Sequence, residues 1–259
     1  MNRIILALTI VSITISCSNN KLEEKGFSIN EVTDENKNNT NNSITTDSLI
    51  FETRPKNVLL TSNSEHRLTP IYKVNYNKKT KKPFVGSNSF HYRYIENRER
   101  DGNNWNNNLM PGFEAVYGYN LVNISHYNIS TKTQNAFFKD PVLIKTLYYP
   151  TFSQDTLNFR PVNREFYMVS SYDEDTNNDG LLNINDLRRF YFFDINGENQ
   201  KPLVPRNYSV LSSEYDSAND YMYVFAKKDE NNNGKRDENE NIHIFWIDLK
   251  DPNNSGRQY

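Results

Sequence analysis

Two similar stretches, YFFDING at Tyr191–Gly197 and FWIDLKD at Phe245–Asp251, lie 54 residues apart and decide the predicted fold. Each is a run of aromatic and β-branched residues that ends in Asp and a polar turn, a pattern typical of a β-strand leaving a core. The pairs Tyr167–Met168 and Tyr221–Met222 are separated by the same distance along the chain. Self-similarity at a fixed spacing indicates a repeated structural unit.

Two earlier segments, Pro70–Phe84 and Leu121–Phe138, look like weaker copies of the same unit. Each of the four copies has a candidate partner strand upstream, so the chain divides into four small antiparallel sheets of roughly 50 residues each. We therefore predict an all-β fold, a propeller-like repeat of about four blades. A β-sandwich or a meander is the alternative. The predicted partner strands are Asn57–Thr61, Phe113–Tyr119, Glu165–Ser171 and Asp220–Ala226.

The composition agrees with this class. Of 259 residues, 36% are hydrophobic and 13% aromatic, which disfavours both a polytopic membrane protein and a fully disordered chain. The 41 Asn residues favour turns over helices. A net charge of −2 gives the molecule no overall positive potential that would attract nucleic acid.

The FFDING and WIDLKD runs resemble the blades of TolB-like propellers, in which a strand enters a turn of the Asp-Leu-Asp-Gly type.

The N-terminus predicts export. A short basic stretch is followed by an apolar run over Ile4–Ile15 that is too short to span a bilayer. Residues 1–16 are therefore predicted to be a signal peptide. Cys17 follows directly and is the chain's single cysteine. The segment resembles the lipobox of bacterial lipoproteins, which implies a diacylated Cys17, a palmitate-type anchor and a cell-envelope location at the outer membrane. Ordinary cleavage that leaves a free Cys17 is the alternative.

The polar residues 17–47 are predicted to form a flexible tether behind the lipidated cysteine, because they carry few large apolar side chains. A short first strand around Phe27–Val32 is the alternative for this range. Residues 48–259 are predicted to form the β-repeat domain.

The first chemical motif is DTNNDGLLNIND at Asp175–Asp186, called loop 1. It resembles the twelve-residue EF-hand loop in its dockerin form, with Gly180 at the turn position 6. Calcium requires several oxygen ligands, and alternate residues of a tight glycine turn direct short carboxylates and amides inward. The alternative is a hairpin tip that binds no ion. The implied ligands are Asp175, Asn177, Asp179, the Leu181 carbonyl, Asn183 and Asp186.

The second motif is DENNNGKRDENE at Asp229–Glu240, called loop 2, and it starts 54 residues after the first. Lys235 and Arg236 place two positive charges near the ion, so we expect weaker binding than at loop 1. The same alternative, a tip without an ion, applies. The implied ligands are Asp229, Asn231, Asn233, the Lys235 carbonyl, Asp237 and Glu240.

Aromatic and β-branched runs flank both loops where an EF-hand has helices, so each loop is predicted to cap a β-hairpin and calcium to be structural. The four histidines, at 66, 91, 126 and 243, show no metal-ligand spacing. Glu96, Glu99 and Asp101 alternate with arginines and indicate a charge-paired loop rather than a catalytic pair. Trp105, Tyr117 and Tyr119 are a candidate sugar-stacking face.

Two functions follow from these observations. The first is a calcium-binding, lipid-anchored and non-catalytic module that binds or scaffolds a protein or glycan partner. The alternative is a glycan-active hydrolase. The sequence contains no nucleophile motif, so the paired catalytic carboxylates of such an enzyme would have to come from different blade loops that the fold brings together.

Overall fold

The computed structural model describes residues 26–29, 51–77, 79–85, 89–90 and 110–259, and all structural statements refer to these. Within these ranges the regular structure consists of strands, which confirms the predicted all-β class. No helix in the described ranges is long and apolar enough to cross a membrane.

The strands are numbered here in chain order. The first ten are β1 (Phe27–Ser28), β2 (Thr53–Pro55), β3 (Leu59–Leu60), β4 (His66–Tyr76), β5 (Pro83–Val85), β6 (Ser89–Phe90), β7 (Phe113–Asn128), β8 (Thr133–Ala136), β9 (Leu143–Pro150) and β10 (Asp155–Leu157). The others are β11 (Arg160–Val162), β12 (Phe166–Tyr172), β13 (Leu181–Leu182), β14 (Arg189–Asp194), β15 (Lys201–Pro202), β16 (Tyr208–Asp216), β17 (Tyr221–Lys228), β18 (Ile242–Asp248) and β19 (Ser255–Arg257).

The larger sheet has the strand order β15-β14-β12-β9-β7-β4-β2, and β3, β5, β6 and β8 pair at its sides. Its long strands follow one another along the chain and pair antiparallel, so the sheet is a meander. A second sheet has the order β16-β17-β18-β19. Neither sheet closes on itself over the described residues, and the structure therefore does not show a propeller.

One predicted hairpin is wrong. Phe113–Tyr119 and the start of Leu121–Phe138 do not pair with each other but run on as the single strand β7. The register of β7 against β9 shifts between Tyr117 and Leu121, and Asn120 has a φ of 62°. β7 advances four residues there while β9 advances two, and such extra residues bend a strand without reversing it. The polar residues around Asn120 therefore mark a bulge and not a turn.

The central strands are buried on both faces. In β12, Phe166 and Met168 join one core cluster, whereas Tyr167 and Val169 join another. The first cluster also contains Met222 and other residues of the four-stranded sheet, so the two sheets pack face to face through it. Because core clusters cover both faces of β12, every residue of the strand is buried, including Ser170 and Ser171.

A buried ion pair joins the two sheets at one end of this core. Arg164, just before β12, donates to Asp220, just before β17, through two bonds of 2.7 and 2.9 Å. It also donates to the carbonyl of Leu249 at 2.6 Å, and Tyr215 donates to Asp220 at 3.0 Å. The pair is almost fully buried, with 1% and 6% of the two side chains exposed. Such a pair requires good geometry to offset its desolvation, and the bidentate contact supplies it.

Candidate metal centre

Each predicted calcium loop connects two strands that pair directly with each other. Loop 1 runs from β12 to β14, which pair antiparallel, and loop 2 runs from β17 to β18, which pair likewise. The prediction that the loops cap β-hairpins is therefore confirmed by the strand pairing.

In both loops the carboxylate at the first ligand position accepts hydrogen bonds from the same two backbone amides. Asp175 accepts from the amide N–H groups of positions 5 and 6 at 3.1 and 2.8 Å. Asp229 accepts from the same two positions of loop 2 at 3.1 and 3.0 Å. These bonds hold each carboxylate at the start of its loop and orient it inward.

Positions 3 and 5 also repeat between the loops. In loop 1 the amide of position 5 donates to Asn177 and that of position 7 to Asp179, each at 2.9 Å. In loop 2 the same positions donate to Asn231 at 3.0 Å and to Asn233 at 2.8 Å. Side chains at alternate positions of one tight turn are thereby held on the same side of it.

The last ligand position closes each loop. Asp186 accepts from the amides of positions 2 and 9 at 2.9 and 2.8 Å. Glu240 accepts from the same positions of loop 2 at 3.2 and 2.9 Å. Asp186 is 1% exposed and Glu240 is 9% exposed, so both carboxylates face the loop interior.

The backbone conformation is common to both loops as well. Position 4 has positive φ, 57° at Asn178 and 56° at Asn232, and glycine follows at position 6 with φ of 80° and 70°. Asparagine and glycine are the residues that adopt this left-handed region most readily. The two loops are therefore one conformation built twice, with six equivalent hydrogen bonds in each.

The ninth position differs between the loops. Asp237 accepts from the side-chain amides of Asn231 and Asn233 at 2.9 and 2.8 Å, so positions 3, 5 and 9 of loop 2 converge. In loop 1 the side-chain amide of Asn183 lies 3.5 Å from Asp179. The Leu181 and Lys235 carbonyls complete the predicted oxygen sets.

Two carboxyl groups of the loops have perturbed pKa values. Burial raises the pKa of Asp186, although backbone donors at Asn183, Asn177 and Thr176 counter it, and the charge of Asp175 adds to the rise. Hydrogen bonds from Asn231 and Asn233 lower the pKa of Asp237. A buried carboxylate beside another is the kind of group that a cation stabilises.

The two loops touch each other, a contact that the sequence did not predict. Thr176 in loop 1 donates its hydroxyl to the Gly234 carbonyl of loop 2 at 2.6 Å and accepts from the Leu187 amide at 2.8 Å. A Cβ at Gly234 would lie 1.8 Å from the Thr176 carbonyl oxygen, so only glycine fits there. A polar cleft of about 300 Å³ opens between the loops, lined by Asn177, Asp179, Ile184, Asn185, Lys235, Arg236 and Asp237.

No group of three or more His, Cys, Asp or Glu side chains in the described ranges is arranged to hold a metal ion. Amide and main-chain carbonyl oxygens form part of each predicted ligand set. Such neutral oxygens suit calcium, a hard cation, and do not suit a transition metal that prefers nitrogen or sulfur.

The other predicted site residues fall into two groups. Cys17, Glu96, Glu99, Asp101 and Trp105 lie outside the described residues. Tyr117 and Tyr119 lie in β7.

The structure brings together two histidines that the sequence left apart. The ring centroids of His66 and His126 are 4.9 Å from each other in the core. Their positions on the paired strands β4 and β7 could be read only once the register of that pairing was known.

A search against protein families and against curated proteins finds no match to this chain.

Proposed function

We propose that the protein is a calcium-binding module of the bacterial cell envelope, anchored by lipid at Cys17, in which two calcium ions stabilise a β domain. The observation that carries the proposal is the repetition of one loop conformation, with the same six hydrogen bonds, at Asp175–Asp186 and Asp229–Glu240.

The oxygen chemistry of the loops supports calcium. Each loop offers three carboxylates, neutral amides and a main-chain carbonyl, which together approach the six to eight oxygens that calcium takes. The short side chains are already oriented by backbone donors, so little rearrangement is needed on binding.

The strands around the loops support a structural rather than a signalling use of the ion. A calcium sensor opens a pair of helices to expose an apolar groove. Here β12 and β14 pair over six residue pairs, and β17 and β18 over seven, directly beside the loops. A hairpin held by its own ladder has no comparable open state, so the module acts by presenting a stable surface to a protein or glycan partner.

Calorimetric titration tests the binding. We expect two calcium ions per chain, with the loop 1 site tighter, because Lys235 and Arg236 add positive charge beside loop 2. The variants Asp175→Asn and Asp229→Asn each replace an oxygen acceptor by a donor facing a backbone N–H, so each should remove one ion and leave the other.

The matched control is Asp216→Asn, at a tight turn between β16 and β17 that belongs to neither loop. This variant should keep both ions. A wild-type chain that takes up no calcium at millimolar concentration contradicts the proposal.

The anchor has its own test. Labelled palmitate should enter the wild-type chain in a bacterial host and should not enter a Cys17→Ala variant. Equal incorporation into both, or incorporation into neither, refutes lipid attachment at this residue.

A further inference from the structure

The short strand β1 lies directly on calcium loop 1. Phe27 pairs with Leu182 and Ser28 with Leu181 in antiparallel register, and the Ile29 amide donates to the Gly180 carbonyl at 3.3 Å. Leu181 and Leu182 are positions 7 and 8 of the loop, and position 7 is the one whose carbonyl is a proposed calcium ligand. The strand therefore contacts the turn that would close around the ion.

Side-chain contacts hold β1 in place. Phe27 is 6% exposed and joins a core cluster with Ile71, Val122, Leu143, Tyr172 and Leu182. Its ring lies 4.9 Å from that of Phe51, and the Lys73 ammonium lies over both rings. Lys73 also donates to the Gly26 carbonyl at 3.3 Å. One side of this pocket, Leu182, belongs to the calcium loop.

Gly26 is fitted tightly to the same loop. A Cβ at this position would lie 1.8 Å from the Leu182 carbonyl oxygen and 2.6 Å from the Cβ of Asn183, the ninth loop position. Its φ of +53° also favours glycine. The docked segment therefore follows the shape of loop 1 closely and depends on the loop holding that shape.

We infer that calcium in loop 1 controls the docking of the N-terminal segment Gly26–Ile29. This rests on the proposed function and names its regulation. The hydrogen bonds of loop 1 shape it without the ion, but the carboxylates of Asp175, Asp179 and Asp186 repel one another there. Calcium would offset this repulsion and so stabilise the edge offered by Leu181 and Leu182. Loop 2 provides the contrast, because no strand within the described residues pairs with its corresponding positions, Lys235 and Arg236.

The coupling is reciprocal. If the ion favours docking, docking must favour the ion by the same factor, which for coupled sites is typically about 5- to 150-fold. A change that prevents docking without touching a ligand must therefore weaken calcium binding at loop 1 and leave loop 2 unaffected.

Amide hydrogen exchange on the full chain tests the docking directly. We expect the Ile29 amide to exchange roughly ten-fold or more slowly in calcium than in EDTA. The amides of β10 and β11, which form a separate hairpin ahead of β12, should change little. At about 10 mM calcium, well above the affinity range of extracellular calcium modules, Asp175→Asn should expose the segment and Asp229→Asn should keep it protected.

Phe27→Ala tests the reciprocal effect, because Phe27 docks β1 through the core cluster that contains Leu182 and is not a ligand residue. In an Asp229→Asn background, where only loop 1 titrates, this variant should raise the Kd for calcium about five-fold or more. Ile29→Ala is the matched control, because that side chain is 46% exposed and its backbone bond remains. It should leave the Kd unchanged.

The outcomes separate the two proposals. If the chain binds no calcium, the proposed function fails and the inference fails with it. If loop 1 binds calcium but the exchange of residues 26–29 is the same in calcium and EDTA, only the inference is overturned. The inference is also overturned if Asp229→Asn releases the segment as much as Asp175→Asn does. An unchanged calcium affinity in the Phe27→Ala chain overturns it as well.

Discussion

At the scale of single residues, we expect the buried pair His66 and His126 to make the free energy of unfolding depend on pH. Both side chains are buried, at 4% and 2% exposed, and neither belongs to a calcium loop. His126 bonds to Asn135 at 3.0 Å and to the Ile195 carbonyl at 3.1 Å. The Nδ1 atom of His66 has no partner among the described residues.

Burial lowers the pKa of both histidines. At His66 the neighbouring His126 and Arg67 lower it further, whereas Glu65 and Asp194 oppose the shift. At His126 the hydrogen bonds to Asn135 and Ile195, with the charges of Asp194 and Glu198, raise the pKa but do not cancel the effect of burial. Both lowered pKa values favour the neutral ring in the folded protein.

We predict that the free energy of unfolding decreases as the pH falls below the unfolded histidine pKa of about 6.5. The unfolded chain then binds protons that the folded chain does not, and each histidine contributes up to about 1.4 kcal/mol per pH unit. Chemical denaturation in saturating calcium, between about pH 7.5 and 5.5, measures the slope.

The variant for this test is His66→Gln, which removes one titrating group and should reduce the slope. A stability that is flat or rises over this range, or a slope that the variant does not change, contradicts the assignment.

At the scale of elements, the sequence predicted the two hairpins that carry the loops because their apolar runs are uninterrupted and their tips are rich in Asn, Asp and Gly. It could not predict the pairing register. Tyr167 pairs with Phe193, and an offset of 54 would pair Tyr221 with Ile247, but Tyr221 pairs with Asp248. A repeat read from residue types aligns strands only approximately, because register depends on the loop and on packing.

The remaining differences have similar physical causes. The sequence predicts two partner strands on either side of Asn120, but packing against β4 and β9 keeps β7 continuous through a bulge. The polar range 17–47 is predicted to be a tether, yet Phe27, its only aromatic residue, docks in the core. Single large side chains can order a short segment when the folded domain offers a pocket, and no sequence pattern shows that pocket in advance.

The contact between the loops also could not be predicted from the sequence. Gly234 was predicted as the turn residue of its own loop, and it is that, but its lack of a Cβ also admits the Thr176 carbonyl. A glycine that meets two requirements looks the same in a sequence as one that meets a single requirement.

At the scale of the whole molecule, the two sheets are fastened at both ends of their shared core. The Arg164–Asp220 ion pair lies at the start of β12 and β17, and the two loops meet where the same strands end. Loop 1 belongs to the larger sheet and loop 2 to the four-stranded sheet. Calcium in the loops would therefore strengthen the junction between the sheets and not only two local turns.

The most direct test of this central claim is differential scanning calorimetry of the full chain with calcium and with EDTA. At ten times Kd each site adds about 1.4 kcal/mol, and a domain of this size gains roughly 2–4 °C per kcal/mol. We predict that EDTA lowers the Tm of the wild-type chain by about 3–6 °C per site. The double variant Asp175→Asn, Asp229→Asn should unfold at one temperature in both conditions. A wild-type Tm that EDTA leaves unchanged would contradict the account.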